Sequence, residues 1–128
     1  MKKKYSLADT AEKCRVVTAW LVENKAKDPA TVDLTGQCAF AESLIVVTAS
    51  SIRHAQSLAS GVTELCAKEN YEFLRVEGVQ TGQWILVDMN DIVVNIFQES
   101  VRGLYDLESL WNAAYPRLKR DDDTENDE

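Results

Sequence analysis

Trp84-Ile85-Leu86-Val87-Asp88-Met89-Asn90-Asp91-Ile92-Val93-Val94-Asn95-Ile96-Phe97 places two apolar runs on either side of four residues that favour a reversal. β-branched and aromatic side chains suit a pleated surface packed on neighbours, so the stretch predicts a β-hairpin. Asn90 stands where the turn can require positive φ, which asparagine tolerates better than most residues with a side chain. By the period-two rule Trp84, Leu86 and Asp88 share one face of the first strand.

Working outward, Phe73-Leu74-Arg75-Val76-Glu77 predicts a strand with apolar residues inward and charges outward, stopped by Gly78. Leu44-Ile45-Val46-Val47-Thr48 is a continuous β-branched run of the kind buried on both faces, and Thr31-Val32-Asp33-Leu34 is a short strand ended by Gly36. The segment from Gln37 to Glu42 connects them. Ile52, Ala55, Leu58, Ala59, Val62, Leu65 and Cys66 form a helical stripe that Ser50 or Ser51 can cap. Ser6-Leu7-Ala8-Asp9 has the form of a helix start, and Leu7, Ala11, Cys14, Val17 or Thr18, and Leu21 carry that helix to about Lys27, before Asp28-Pro29. Leu107, Leu110 and Trp111 predict a last short helix from Tyr105 to Ala114, closed by Pro116. The order α-β-β-α-β-β-β-α is that of an α/β fold: a mixed β-sheet of about five strands with helices packed against it.

With 128 residues, 45% of them apolar, the chain suits one domain over residues 1–118, followed by a disordered acidic tail over 119–128. Six of the seven net negative charges come from Asp121, Asp122, Asp123, Glu125, Asp127 and Glu128, which leaves the rest near −1. A near-neutral body argues against a broad basic clamp on nucleic acid, so little direct RNA contact is expected. Cys14, Cys38 and Cys66 are widely spaced in apolar runs and read as buried free thiols. Met1-Lys2-Lys3-Lys4 is followed by charged residues where a signal peptide needs an apolar core, and no run is long enough to span a membrane. A cytoplasmic protein is the expectation.

The sequence offers no catalytic set. His54 is the single histidine; beside Arg53 at the start of a helix, it reads as a partly buried residue bonding the preceding strand end. Neither glycine-rich phosphate motif occurs. Asp88 and Asp91 at the hairpin end could hold a metal, but aspartates there serve more often as turn formers. No cofactor or metal is expected. Trp84, first in its strand beside Gly82 and Gln83, suits either a core position or a protein-binding hot spot, whereas Trp111 suits the core.

The hairpin, followed by Arg102-x-x-Tyr105-x-Leu107-Glu108-x-Leu110-Trp111, resembles the C-terminal signature of the ribosomal silencing factor family, also called the Iojap-related family. Thr48-Ala49-Ser50-Ser51-Ile52-Arg53-His54 and Arg75-Val76-Glu77-Gly78 fall where that family has its strand-to-helix turn and a similar strand end. The resemblance implies a nucleotidyltransferase-like fold without the catalytic motif. This chain has no Gly-Ser dipeptide, and its D-x-D occurs only in the acidic tail.

The resemblance further implies a protein that is not an enzyme. It would bind the large ribosomal subunit at its fourteenth ribosomal protein, block joining with the small subunit, and damp translation under nutrient limitation. Carried over by position, the docking surface comprises Trp84, Leu86, Asp88, Tyr105, Leu107 and Glu108, and a homodimer is also implied. Two alternatives are a large-subunit assembly factor and a diverged nucleotide-binding domain using Asp88, Asp91 and His54. This chain departs from the family at Asn95, usually histidine, and at Ala41-Glu42-Ser43-Leu44, usually an A-D-Y-F-like stretch. The first exchange keeps a hydrogen-bonding side chain; the second puts any contact there in doubt.

Overall fold

A computed structural model describes residues 9–36 and 41–102 of the chain. The elements are α1 (Thr10–Glu23), β1 (Lys27–Asp33), β2 (Ser43–Ala49), α2 (Ile52–Glu69), β3 (Arg75–Glu77), β4 (Trp84–Asp88), β5 (Ile92–Gln98) and α3 (Glu99–Arg102). The strands form one mixed sheet in the order β1-β2-β5-β4-β3. Only β2 and β5 run parallel; the other neighbours are antiparallel. The α/β sandwich with a five-stranded mixed sheet is the architecture that the sequence predicts. The helix expected over Tyr105 to Ala114, the acidic tail and Cys38 lie outside the described residues.

β2 and β5 are apolar runs because they occupy the middle of the sheet, and from Leu44 to Ala49 and Ile92 to Phe97 every residue is buried. Alternate residues serve two cores. On one face Ile45, Val47, Ile85, Val87, Ile92, Val94 and Ile96 pack against Val17 and Leu21 of α1 and Ala55, Leu58, Ala59 and Val62 of α2. On the other, Leu44, Val46, Leu86, Val93 and Phe97 cluster with Leu34 and Ala41, with Val32, Trp84 and Val101 at the margin.

The boundaries of α1 differ from expectation at both ends. Asp9, not Ser6, caps it: its Oδ1 accepts the Glu12 N–H at 2.9 Å, and Asp9-x-x-Glu12 is itself a capping sequence. The helix stops at Glu23, four residues early. Lys25 turns to φ 77° and donates its N–H to Val22, while the Ala26 N–H reaches Leu21 at 3.0 Å. This is a Schellman turn with lysine where glycine is usual, so no glycine marks the stop in the sequence. Lys27 to Pro29 therefore open β1, which was expected to begin at Thr31. Proline is tolerated there because β1 is an edge strand and its register is broken by a bulge between Lys27 and Ala30.

α2 follows expectation more closely. Ser51 Oγ accepts the His54 N–H at 3.0 Å, and Asn70 in the left-handed region ends the helix. Ile52 of the apolar stripe is exposed, because it lies in the first turn over Gly82. Gly61 is an interior helix glycine for a steric reason: a Cβ there would meet the Trp20 ring at 1.9 Å.

β3 overturns the expected alternation. It has three residues rather than five, and Leu74 and Val76 are exposed while Arg75 and Glu77 are half-buried. The strand ends the sheet, so its helix-side residues reach beyond the apolar stripe of α2. On the opposite face Arg75 stands beside the buried Asp88, its Nε 3.6 Å from Oδ2.

Candidate docking surface

The hairpin positions the first three candidate residues. Trp84 pairs with Phe97, Leu86 with Asn95 and Asp88 with Val93, so all six project to the sheet face away from α1 and α2. Tyr105, Leu107 and Glu108 lie outside the described residues.

Trp84 is half-buried, as its place at the strand start suggested. Its ring stacks on Phe97 with centroids 4.8 Å apart and planes at 25°. Its Nε1–H donates to Asn95 Oδ1 at 2.7 Å. The stack contributes about 0.5–1.5 kcal/mol beyond buried area. The hydrogen bond fixes which way the indole turns, and it also decides the orientation of the Asn95 amide, whose Nδ2 donates to the Val93 carbonyl at 3.4 Å. Sequence inspection treated Asn95 only as a departure from the family pattern. The signal was present: an amide inside Val93-Val94-Asn95-Ile96-Phe97 must find a partner once buried, and period two puts it on the tryptophan's face.

Leu86 and Asp88 are fully buried on this face. Asp88 Oδ1 accepts the Asn90 N–H at 2.9 Å, closing an Asx-type turn, and Asn90 takes φ 79° as the hairpin requires. Asp91 serves a different contact. Its Oδ2 lies 2.6 Å from Lys13 Nζ and accepts from Thr10 Oγ1 at 2.8 Å, tying the hairpin to α1. The two carboxylates are thus engaged separately, and among the described residues no group of three or more histidine, cysteine, aspartate or glutamate side chains is placed to hold a metal.

His54 bonds the strand end, as read from the sequence, and does more. Its Nδ1 accepts the Ser50 N–H at 3.0 Å, and its Nε2 lies 2.9 Å from the Asn24 carbonyl, which it serves as donor. Both nitrogens therefore engage backbone, and the ring joins the start of α2 to the end of α1. Cys14 and Cys66 are buried free thiols. Burial raises both above the usual thiol range, Cys66 to about 11, which keeps them protonated and poor nucleophiles.

What this arrangement offers, among the described residues, is an aromatic ring held in place by a stack and a hydrogen bond. A family profile described as "Ribosomal silencing factor during starvation" matches residues 7–128. A protein named ribosomal silencing factor RsfS from Chromobacterium violaceum is 32% identical over 96 residues, covering 75% of this chain and 79% of that protein. A second of the same name, from Haemophilus influenzae, is 32% identical over 87 residues, covering 68% and 85%. A crystal structure of a Chromobacterium violaceum protein superposes with a TM-score of 0.76 at 30% identity, over 82% of this chain and 88% of that one.

Proposed function

The chain belongs to the ribosomal silencing factor family, and from that premise we propose that it represses translation by docking on the large ribosomal subunit. In this proposal it binds the fourteenth ribosomal protein of that subunit, stands where the small subunit would sit, and acts in the cytoplasm under nutrient limitation. Its action is steric, with no chemical step. The observation that carries the proposal is Trp84: half-buried at the sheet margin, stacked on Phe97 and oriented by Asn95, it is a large aromatic ring held before any partner arrives. A preorganised aromatic anchor loses little side-chain freedom on binding, which is what a hot spot requires.

Leu86 and Asp88 support this surface from beneath, Leu86 in the core under the ring and Asp88 by fixing the hairpin turn. Tyr105, Leu107 and Glu108 are proposed to complete it. A catalytic role is disfavoured by the engagement of His54, Asp88 and Asp91 in structural bonds. No described helix is long and apolar enough to cross a membrane.

Co-sedimentation with separated ribosomal subunits at physiological salt tests the proposal. The protein should pellet with the large subunit alone, and Trp84→Ala should weaken binding by roughly 2 kcal/mol or more. Pelleting with neither subunit, or an unchanged affinity in Trp84→Ala, would remove the subunit or the residue from the reading. Binding should depend only shallowly on salt, because a near-neutral body displaces few counterions.

A further inference from the structure

Residues 78–83 join β3 to β4 and deliver the chain to Trp84. Gln80, Thr81 and Gln83 are exposed, yet the connection is fastened more heavily than a surface turn needs. Gly82 donates its N–H to the Gly78 carbonyl at 3.0 Å, and the Gln83 carbonyl accepts the Gln98 N–H of β5 at 2.9 Å. Two further contacts come from α2. Gln56 Nε2 donates to the Val79 carbonyl at 2.7 Å, and Ile52 packs on the backbone of Gly82. Gly82 is buried at φ 68°, and a methyl group there would collide with Ile52 Cγ2.

We propose that Ile52 and Gln56 are positioning residues for docking: through them the first two turns of α2 hold residues 78–83, and so present Trp84 to its partner in one orientation. The inference rests on the docking role of Trp84 and deepens it. The need for a restraint arises from the strand register. The ladder between β3 and β4 stops at Leu86, two residues short of Trp84, so on that side the connection itself steadies the start of β4. A strand end frays unless contacts beyond the ladder restrain it.

α2 can supply that restraint because Ala55, Leu58, Ala59 and Val62 fix it in the core. Asn95 orients the indole from β5 on one face of the sheet, while α2 holds the backbone that carries it from the other. An anchor restrained from both sides loses less freedom when a partner closes on it.

Hydrogen exchange at the Trp84 indole N–H, its resonance assigned by its loss in Trp84→Phe, tests the positioning, and co-sedimentation with the large subunit tests its use. Gln56→Met keeps the side-chain length and has no donor. It should speed exchange of that proton roughly fivefold and weaken subunit binding by a similar factor, as for the loss of one hydrogen bond. Gln56→Lys, which can donate to the same carbonyl, should restore part of both. Gly82→Ala should have the larger effect, and adding Ile52→Ala should recover part of it by removing the collision. Backbone amides of β2 and β5 should exchange at wild-type rates in every variant, since general loosening of the fold would speed them too. Unchanged indole exchange in folded Gln56→Met and Gly82→Ala, exchange raised equally in β2 and β5, or faster indole exchange with unchanged affinity for the large subunit would each overturn the proposal. A wild-type chain that pellets with neither subunit is a separate failure: it removes the docking reading, and with it the purpose assigned to the restraint, whatever the exchange shows.

Discussion

The two faces of the sheet use alternate residues of the same strands, yet they are built to different rules. Toward α1 and α2 the buried strand residues are isoleucine, valine and alanine throughout. The opposite face holds Thr48, Asp88 and Asn95, every fully buried polar residue among those described, interleaved with Leu44, Val46, Leu86 and Phe97. An apolar face needs only volume and shape to pack well, whereas buried polar groups must be paired and so restrict their neighbours to particular orientations. The helix-side face therefore carries stability, and the opposite face spends some of its apolar area on orienting the hairpin and Trp84.

The largest effect that divides the faces is expected at Ile96, fully buried on the helix side in the central strand. Ile96→Ala should cost about 2–5 kcal/mol in urea unfolding, from lost burial and the cavity left behind. Large-subunit binding should be unchanged where the variant remains folded. A variant that unfolds at the wild-type midpoint but binds poorly would break the division.

Asn95→Leu tests the other face. It removes the acceptor of the Trp84 N–H and should cost about 1–3 kcal/mol, the range for a buried donor left unmet. Asn95→His, which can accept through a ring nitrogen, should recover part of that loss. A double-mutant cycle with Trp84→Phe isolates the bond, because phenylalanine keeps a stack on Phe97 and has no N–H to strand. If Asn95→Leu costs the same in the Trp84→Phe background, the pair does not orient the ring.

Much of this could be read in the sequence, and the failures have physical causes. The hairpin, its asparagine turn and the doubly buried β2 were legible because strand periodicity and turn chemistry are local. The end of α1 was not, because its left-handed residue is Lys25, and lysine carries no turn signal. β3 was misread because alternation predicts which side chains share a face but not how far the helix layer reaches. At the candidate surface the shared face of Trp84, Leu86 and Asp88 was legible. The burial of Leu86 and Asp88 and the Trp84–Asn95 bond were not, because both depend on what packs across the strands.

A smaller net effect is expected between the helices on the apolar face. Gly61→Ala gains about 1 kcal/mol of helix propensity but drives a methyl group into the Trp20 ring, an overpacking cost of about 1–3 kcal/mol. The balance is a net loss below about 2 kcal/mol, reversing to a gain when Trp20→Leu removes the ring. A stabilised Gly61→Ala single variant would mean that the indole moves aside freely, and that the helix layer is packed less tightly than the sheet beneath it.

The smallest effect comes from a titration confined to the helix-covered face. Burial raises the Cys66 thiol from 9.0 to about 11 in the folded chain. Stability from this group is full below pH 9, where neither state ionises, and is lost as pH rises toward about 11, because the unfolded thiol ionises first. Near pH 9.5 the loss should be under about 1 kcal/mol, read as the difference in pH dependence between wild type and Cys66→Ala in chemical unfolding. Wild type should fall more steeply with pH. Equal slopes would mean that water reaches Cys66 under α2, and the contrast between a dry apolar face and a polar, orienting one would then lose half its basis.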